Sequence, residues 1–132
     1  MDRTYGLSHI QIAVKDIDRS LRFYQVSFGL VERFRISPTC VMIGSPGAHD
    51  IVTINADLSD RNGPIGSTGA IAHFGFRLRS DSFMADVLRD AVEAGGAVLT
   101  TGKRGKPGSR ESYAMVRDPD GYEVEVFADI GE

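Results

Sequence analysis

Four positions in the chain combine residue types that could bind a divalent metal ion with a spacing that repeats. His9 lies in the run Leu-Ser-His-Ile-Gln-Ile-Ala-Val, and His73, 64 residues later, lies in the similar run Ile-Ala-His-Phe-Gly-Phe-Arg-Leu. Thr53 and Glu125 occupy equivalent positions in a second pair of similar runs, 72 residues apart. Two imidazoles and one carboxylate suit divalent Fe, Mn, Zn, Ni or Co and leave open coordination positions, whereas a threonine binds such ions poorly.

The candidate ligands share one face of their predicted strands, because side chains alternate across a strand. His9 and Gln11 alternate with apolar residues, as do Glu123 and Glu125. We expect the apolar residues to contact helices and the polar residues to line a concave face, so Glu123 is a rival of Glu125 as a ligand. Gln11, Glu123 and Tyr113 are candidate groups for supporting the metal ligands or transferring protons. The alternative is that the histidines are ordinary strand residues and Glu125 is a solvated acid.

Helix and turn signals define a first module over residues 5–57. Asp16 or Asp18 can cap a helix with apolar residues at helical spacing, and Gly29 can end it in the left-handed conformation. Three β-prone runs follow, at 30–36, 39–43 and 51–55.

A second module over residues 70–129 repeats this order after a connecting segment at 58–69 that is rich in Gly, Ser, Asp and Asn. The predicted elements are a strand at 71–79, a helix beginning near Ser80 or Asp81 and ending at Gly95-Gly96, and strands at 98–101, 113–116 and 122–127. Two tandem βαβββ modules predict an α+β fold, with a curved mixed sheet around a concave site and helices outside.

Length and composition point to a single ordinary globular domain over residues 1–132. The chain is 42% hydrophobic and 25% charged, with a net charge of −3. These values predict small-molecule partners and neither nucleic acid nor membrane. With no signal-peptide pattern after Met1, we expect a cytoplasmic protein. The lone Cys40 lies in an apolar run and is interpreted as a buried thiol.

Three motifs resemble those of the vicinal oxygen chelate superfamily, which includes glyoxalase I, extradiol dioxygenases, fosfomycin-resistance thiol transferases and bleomycin-resistance proteins. They are the run 7–14 continuing into 18–24, Ala72-His73-Phe74, and the run 118–125 of sequence Asp-Pro-Asp-Gly-Tyr-Glu-Val-Glu. The resemblance covers nearly the whole chain. It implies a metal-dependent enzyme that binds vicinal substrate oxygens, and it favours Glu125 over Glu123 as the carboxylate ligand.

Departures from the family patterns narrow the range of reactions that the resemblance implies. Thr53 stands where glyoxalase I usually supplies a fourth ligand, which argues against that activity. The resemblance places Gln11 where the thiol transferases usually have threonine. Extradiol dioxygenases usually have a further catalytic histidine in the second module, but His73 is the only histidine after His49. The alternative function is a metal-free binding protein of the bleomycin-resistance type.

Two further expectations concern the surroundings of the site. The resemblance implies a homodimer in which one chain completes the site of its partner, although a site within one chain stays open as an alternative. The basic, glycine-rich stretch 102–110 is interpreted as a flexible loop, either a lid that attracts an anionic ligand or a solvated surface loop. His49 is interpreted as a surface histidine.

Overall fold

A computed structural model of the chain describes residues 2–57, 63–106 and 108–130. The first module contains β1 Ile10–Ala13, α1 Ile17–Phe28, β2 Val31–Ser37, β3 Cys40–Gly44 and β4 Val52–Asn55. The second contains β5 Phe74–Arg77, a 3-10 turn Asp81–Phe83, α2 Met84–Glu93, β6 Ala97–Lys106, β7 Ser109–Arg117 and β8 Glu123–Asp129. The predicted α+β class with two βαβββ modules is confirmed.

Each module forms one four-stranded mixed sheet, and the two sheets have the same topology. The strand orders are β1-β4-β3-β2 and β5-β8-β7-β6. In each sheet the first strand pairs in parallel with the last, and the remaining pairs are antiparallel. Thr53 therefore lies beside Gln11 of β1, and Glu125 lies beside Gly75 of β5. The repeat in the sequence corresponds to a repeat in strand order and register.

The first helix begins and ends where its capping signals place it. The Asp16 side chain accepts a hydrogen bond of 3.0 Å from the backbone N–H of Arg19, so Asp16, and not Asp18, is the N-cap. Gly29 has a φ of 71° and its N–H bonds back to the last turn. These caps place the apolar face of α1 against the sheets.

Both modules contribute to one apolar core. Phe23 and Tyr24 of α1 are fully buried and pack with buried side chains from the sheets of both modules. The rings of Phe28 and Phe76 stack with centroids 4.7 Å apart, one from each module. Cys40 is buried, as predicted. In the described part of the chain, no helix has the length and apolar character needed to cross a membrane.

The turn between β7 and β8 attaches the second module to the first. The fully buried Asp120 carboxylate accepts hydrogen bonds from the Lys15 N–H, the Arg19 guanidinium and the Ser20 hydroxyl, at 2.8 to 3.2 Å. The Tyr122 hydroxyl donates a bond of 2.6 Å to the Ala13 carbonyl. The predicted turn therefore also fixes the orientation of the two modules.

Two predictions about local structure are wrong. The strand predicted at 71–79 is limited to Phe74–Arg77. The stretch predicted as a flexible loop at 102–110 belongs to a long hairpin, in which β6 and β7 pair continuously from Gly102 opposite Tyr113 to Lys106 opposite Ser109. Backbone pairing with β7 overrides the loop-like composition. Of the predicted connection 58–69, residues 58–62 lie outside the described residues.

Candidate functional site

His73 and Glu125 lie together on the polar face of the second sheet. His73 directly precedes β5, and the parallel pairing of β5 with β8 sets Gly75 beside Glu125. The Nε2 atom of His73 is 3.2 Å from Oε2 of Glu125. The Glu125 side chain is 14% exposed and that of His73 is 37% exposed. Two atoms of ligating type therefore face the same partly sheltered space.

Arg104 forms an ion pair with the other carboxylate oxygen of Glu125. Its Nη1 atom is 2.5 Å from Oε1 of Glu125, and its Nε donates a bond of 2.6 Å to Glu111, its cross-strand neighbour. The hydrogen bond to Glu111 is the main cause that raises the pKa of Arg104, and Glu125 adds to it. The sequence prediction missed both Arg104 and Glu111. Pro107-Gly108, a turn dipeptide, was the signal for a hairpin that would have placed them across from each other.

Tyr113 lies beneath Arg104 on the same face. The guanidinium carbon of Arg104 is 4.7 Å from the centroid of the Tyr113 ring and 6.0 Å from that of Phe127. The ring also covers Gly102, where an added Cβ would lie 2.9 Å from the Tyr113 hydroxyl oxygen. Tyr113, a candidate from the sequence, therefore lies next to the Arg104–Glu125 ion pair.

The other two predicted supporting residues lie further from this pair. Glu123 is exposed at the start of β8 and pairs in register with Arg117. Gln11 is exposed on β1 and lines a separate cavity with Phe74. Thr53, the fourth position of the repeat, is 3% exposed on β4. Because its side chain is buried, Thr53 is not among the exposed residues that could contact a metal ion.

His9, the third predicted ligand, lies apart from His73 and Glu125 in the same chain. It is exposed directly before β1, with Nδ1 2.6 Å from the Ser8 hydroxyl, and lines a small cavity with Gly75. Within the residues that the structure describes, no three His, Cys, Asp or Glu side chains are grouped so that they could hold a metal ion. One chain therefore brings together two of the three predicted metal ligands, His73 and Glu125, and the third ligand position has no residue from the same chain among those described. His49 is exposed, as predicted.

The fold and the polar sheet face define a paired-module α+β protein with a candidate small-molecule site. The chain belongs to the Glyoxalase/Bleomycin resistance protein/Dioxygenase superfamily, whose family model it matches over residues 6–126. This confirms the family resemblance inferred from the motifs.

Similar proteins include an enzyme and two solved structures. Lactoylglutathione lyase from Schizosaccharomyces pombe is 28% identical over 150 residues, which cover 95% of this chain and 48% of the lyase, so the chain spans about half of that relative. A glyoxalase/bleomycin resistance protein from Albidiferax ferrireducens T118 has a TM-score of 0.72 at 20% identity, with 92% of this chain and 98% of that chain covered. The fosfomycin resistance protein FosX from Mesorhizobium loti has a TM-score of 0.67 at 18% identity, with 98% of this chain and 95% of that chain covered. These structural likenesses concern the fold.

Proposed function

We propose that the protein is a metal-dependent enzyme acting on a small substrate with two adjacent oxygen atoms. The observation that carries this proposal is the 3.2 Å approach of His73 Nε2 to Glu125 Oε2 on a partly sheltered sheet face. An imidazole and a carboxylate this close match two ligands of an open metal site. The match to the superfamily, over residues 6–126, supports small-molecule chemistry in this fold.

The third ligand in this proposal is His9 of a second copy of the chain. His9 is exposed next to an edge strand, and the Ser8 hydroxyl holds its Nδ1, which leaves Nε2 as the ligating nitrogen. In a symmetric dimer each copy can give its His9 to its partner and receive one in return. Two equivalent sites follow, each with ligands from both chains.

The neighbouring residues have separate roles in the proposed site. A bound divalent ion would supply Lewis acidity to the substrate oxygens. Arg104, which also bonds to Glu111, orients Glu125 and at the same time competes with a bound ion for Oε1 of Glu125. Tyr113, beside Arg104, places a hydroxyl at the same face, where it can donate a hydrogen bond to substrate or move a proton. Since the fourth position of the repeat is Thr53, which binds divalent ions poorly, the reaction proposed differs from that of glyoxalase I.

Mixing two variants tests both the metal ligands and the shared site. Tag-free wild type is expected to bind one divalent ion per chain, whereas His9→Ala and His73→Ala each bind none. In a mixed dimer the two substitutions fall in the same shared site and leave the other site intact. When the two variants are refolded together and pair at random, half of the dimers are mixed and each mixed dimer has one intact site. About a quarter of the metal sites of wild type should therefore be regained.

Each outcome of this mixing experiment has one meaning. Metal bound by wild type but not regained on mixing would overturn the shared site, as would a monomer with full metal occupancy. Wild type that binds no divalent ion would overturn the metal-dependent enzyme itself. Glu125→Gln serves as a third variant, because it keeps the side-chain shape and removes the negative charge that a cation needs.

A metal-free binding protein of the bleomycin-resistance type is the second candidate. The observation that favours it is the ion pair of Arg104 with Glu125 at 2.5 Å, which already neutralises the candidate ligand carboxylate. In that case the same face would sequester a small molecule with no ion present. Binding of a ligand by chelator-treated wild type and by Glu125→Gln with equal affinity would favour this candidate over the enzyme.

A further inference from the structure

A second cavity lies between the modules, next to the small cavity that His9 lines, since Asp50, Gly75 and Phe76 line both. Its volume is about 720 Å³, and neither His9, His73 nor Glu125 lines it. Its walls are the end of α1, the loop that follows β3, the last residues of β5 and one side of α2. This volume lies in the range of pockets that bind small molecules. We call it the intermodule cleft.

A buried hydroxyl in the wall of the intermodule cleft has no hydrogen-bond partner in the described part of the chain. It belongs to Ser27, in the last turn of α1, which is 4% exposed and whose Oγ atom is buried. Buried polar atoms are nearly always paired, since an unmade hydrogen bond costs the full desolvation of the group. Ser27 therefore gives the cleft wall a hydroxyl whose hydrogen-bonding capacity is unused among the described residues.

Two opposite charges in the cleft are anchored to adjacent residues but do not pair with each other. Arg79 donates a bond of 3.0 Å to the Pro46 carbonyl. Asp50 accepts bonds of 3.2 and 2.8 Å from the N–H and hydroxyl of Ser45. No side chain of opposite charge in the described residues forms an ion pair with either of them. The other charges of the cleft do have such partners: Arg89 with Asp86 and Asp90, and Arg77 with Asp129.

The rest of the cleft is apolar. The stacked rings of Phe28 and Phe76 and the buried Val87 contribute to its lining. Phe83 is 51% exposed at the same cavity. An apolar side chain of a ligand can pack on these rings, while a cation and an anion close to each other in the ligand can reach Asp50 and Arg79.

We propose that the intermodule cleft binds an α-amino acid with an apolar side chain. The ligand carboxylate pairs with Arg79, its ammonium group pairs with Asp50, and its side chain packs on Phe28 and Phe76. Ser27 forms its missing hydrogen bond with the ligand. An amino acid fits better than a simple anion, because Asp50 and Arg79 give the cleft one charge of each sign that has no ion-pair partner among the described residues. None of these contacts uses a residue proposed as a metal ligand.

Calorimetric titration with three related ligands tests the two charge contacts. L-phenylalanine carries both charges, 3-phenylpropanoate lacks the ammonium group, and 2-phenylethylamine lacks the carboxylate. We expect L-phenylalanine to bind with a Kd of about 1 mM or below and each analogue to bind at least about tenfold more weakly. Saturable binding of all three with equal affinity would overturn the proposal, as would no binding of L-phenylalanine up to about 10 mM.

Variants locate the binding within the cleft. Arg79→Met should weaken L-phenylalanine binding about tenfold or more, whereas Arg22→Met should leave it unchanged. Arg22 is the matched control, since it is also exposed and donates to a backbone carbonyl, that of Glu93, outside the cleft. Equal binding by wild type and Arg79→Met would overturn the proposal.

Ser27→Ala separates a ligand-binding role from a structural one. Because the hydroxyl has no partner among the residues that the structure describes, its removal should leave the melting temperature unchanged or raise it, while L-phenylalanine binds about fivefold more weakly. Unchanged binding would overturn the assigned role of Ser27. His73→Ala should bind L-phenylalanine as wild type does, and loss of binding there would place the ligand at the metal site and overturn the cleft assignment.

Discussion

The Tyr24 hydroxyl donates a hydrogen bond of 2.7 Å to Oδ2 of Asp118, a residue 94 positions further along the chain. Tyr24 is fully buried and Asp118 is 2% exposed. The other carboxylate oxygen of Asp118 accepts the backbone N–H groups of Asp120, Gly121 and Tyr122, each at 2.9 Å. This buried carboxylate is therefore satisfied by both modules and joins α1 to the turn before β8.

Tyr24→Phe should lower the free energy of unfolding by about 2 kcal/mol, because it leaves one oxygen of a buried carboxylate without its donor. Urea denaturation at neutral pH measures this change. Tyr5→Phe is the matched control: Tyr5 is exposed, so the same loss of a hydroxyl should change stability by less than about 0.5 kcal/mol. Equal effects of the two substitutions would contradict the assigned role of the Tyr24–Asp118 bond.

The stability that Tyr24 provides should disappear at alkaline pH. Burial is the main cause that raises the pKa of Tyr24 well above its usual value of 10.0, and the Asp118 charge adds to it. The folded protein therefore keeps the phenolic proton where the unfolded chain loses it. This contribution is fully present below the unfolded pKa and falls as the pH rises above it. The stability difference between wild type and Tyr24→Phe should shrink between about pH 9 and 11, and a constant difference would contradict this.

Most elements of the fold could be predicted from local patterns, and the largest error concerns the β6–β7 hairpin. Asp16 and Gly29 mark the ends of α1 through chemistry confined to a few neighbouring residues, so the sequence predicts them well. For the β6–β7 hairpin the local pattern contains a turn signal, Pro107-Gly108, but no strand signal on either side of it that the prediction used. Its residues around Lys103 and Gly105 are exposed and have the composition of a loop. Pairing with β7 across the hairpin, with Lys103 opposite Ser112 and Gly105 opposite Arg110, determines that they form a strand.

The candidate site could be predicted only within each module. Equivalent positions in the repeat identify His73 and Glu125, and parallel pairing of β5 with β8 brings them together. The position of His9 relative to them depends on how the two modules pack, and alternation along a strand contains no information about that. Arg104 was missed for the same reason that the hairpin was missed.

Gly75→Ala should disturb the His73–Glu125 pair. An added Cβ at Gly75 would lie 2.7 Å from the Glu125 carbonyl oxygen and 3.1 Å from its Cβ. Because both are held by β8, β5 must move away. We expect a loss of about 1 to 3 kcal/mol in unfolding free energy, measured by urea denaturation, and weaker binding of Mn²⁺ or Zn²⁺.

Gly102→Ala is the comparison for this substitution. The Cβ added there would meet the end of the Tyr113 side chain, which can rotate away, so the loss should be smaller. A Gly75→Ala variant as stable as wild type would show that β5 tolerates a side chain at this position and would contradict the close approach to β8.

Arg104→Met should strengthen divalent-metal binding at the proposed site. The guanidinium of Arg104 lies 2.5 Å from a Glu125 oxygen, so it both occupies a potential ligand atom and repels a cation there. Its removal should tighten Mn²⁺ or Zn²⁺ binding about three- to tenfold in calorimetric titration at low salt, with a smaller gain at high salt because salt screens this half-exposed charge. Methionine retains an unbranched chain that can still pack on the Tyr113 ring.

Arg110→Met is the control, since Arg110 is exposed on the same hairpin and forms no ion pair in the described residues. Weaker metal binding by Arg104→Met would instead show that orientation of Glu125 by Arg104 outweighs repulsion of the ion.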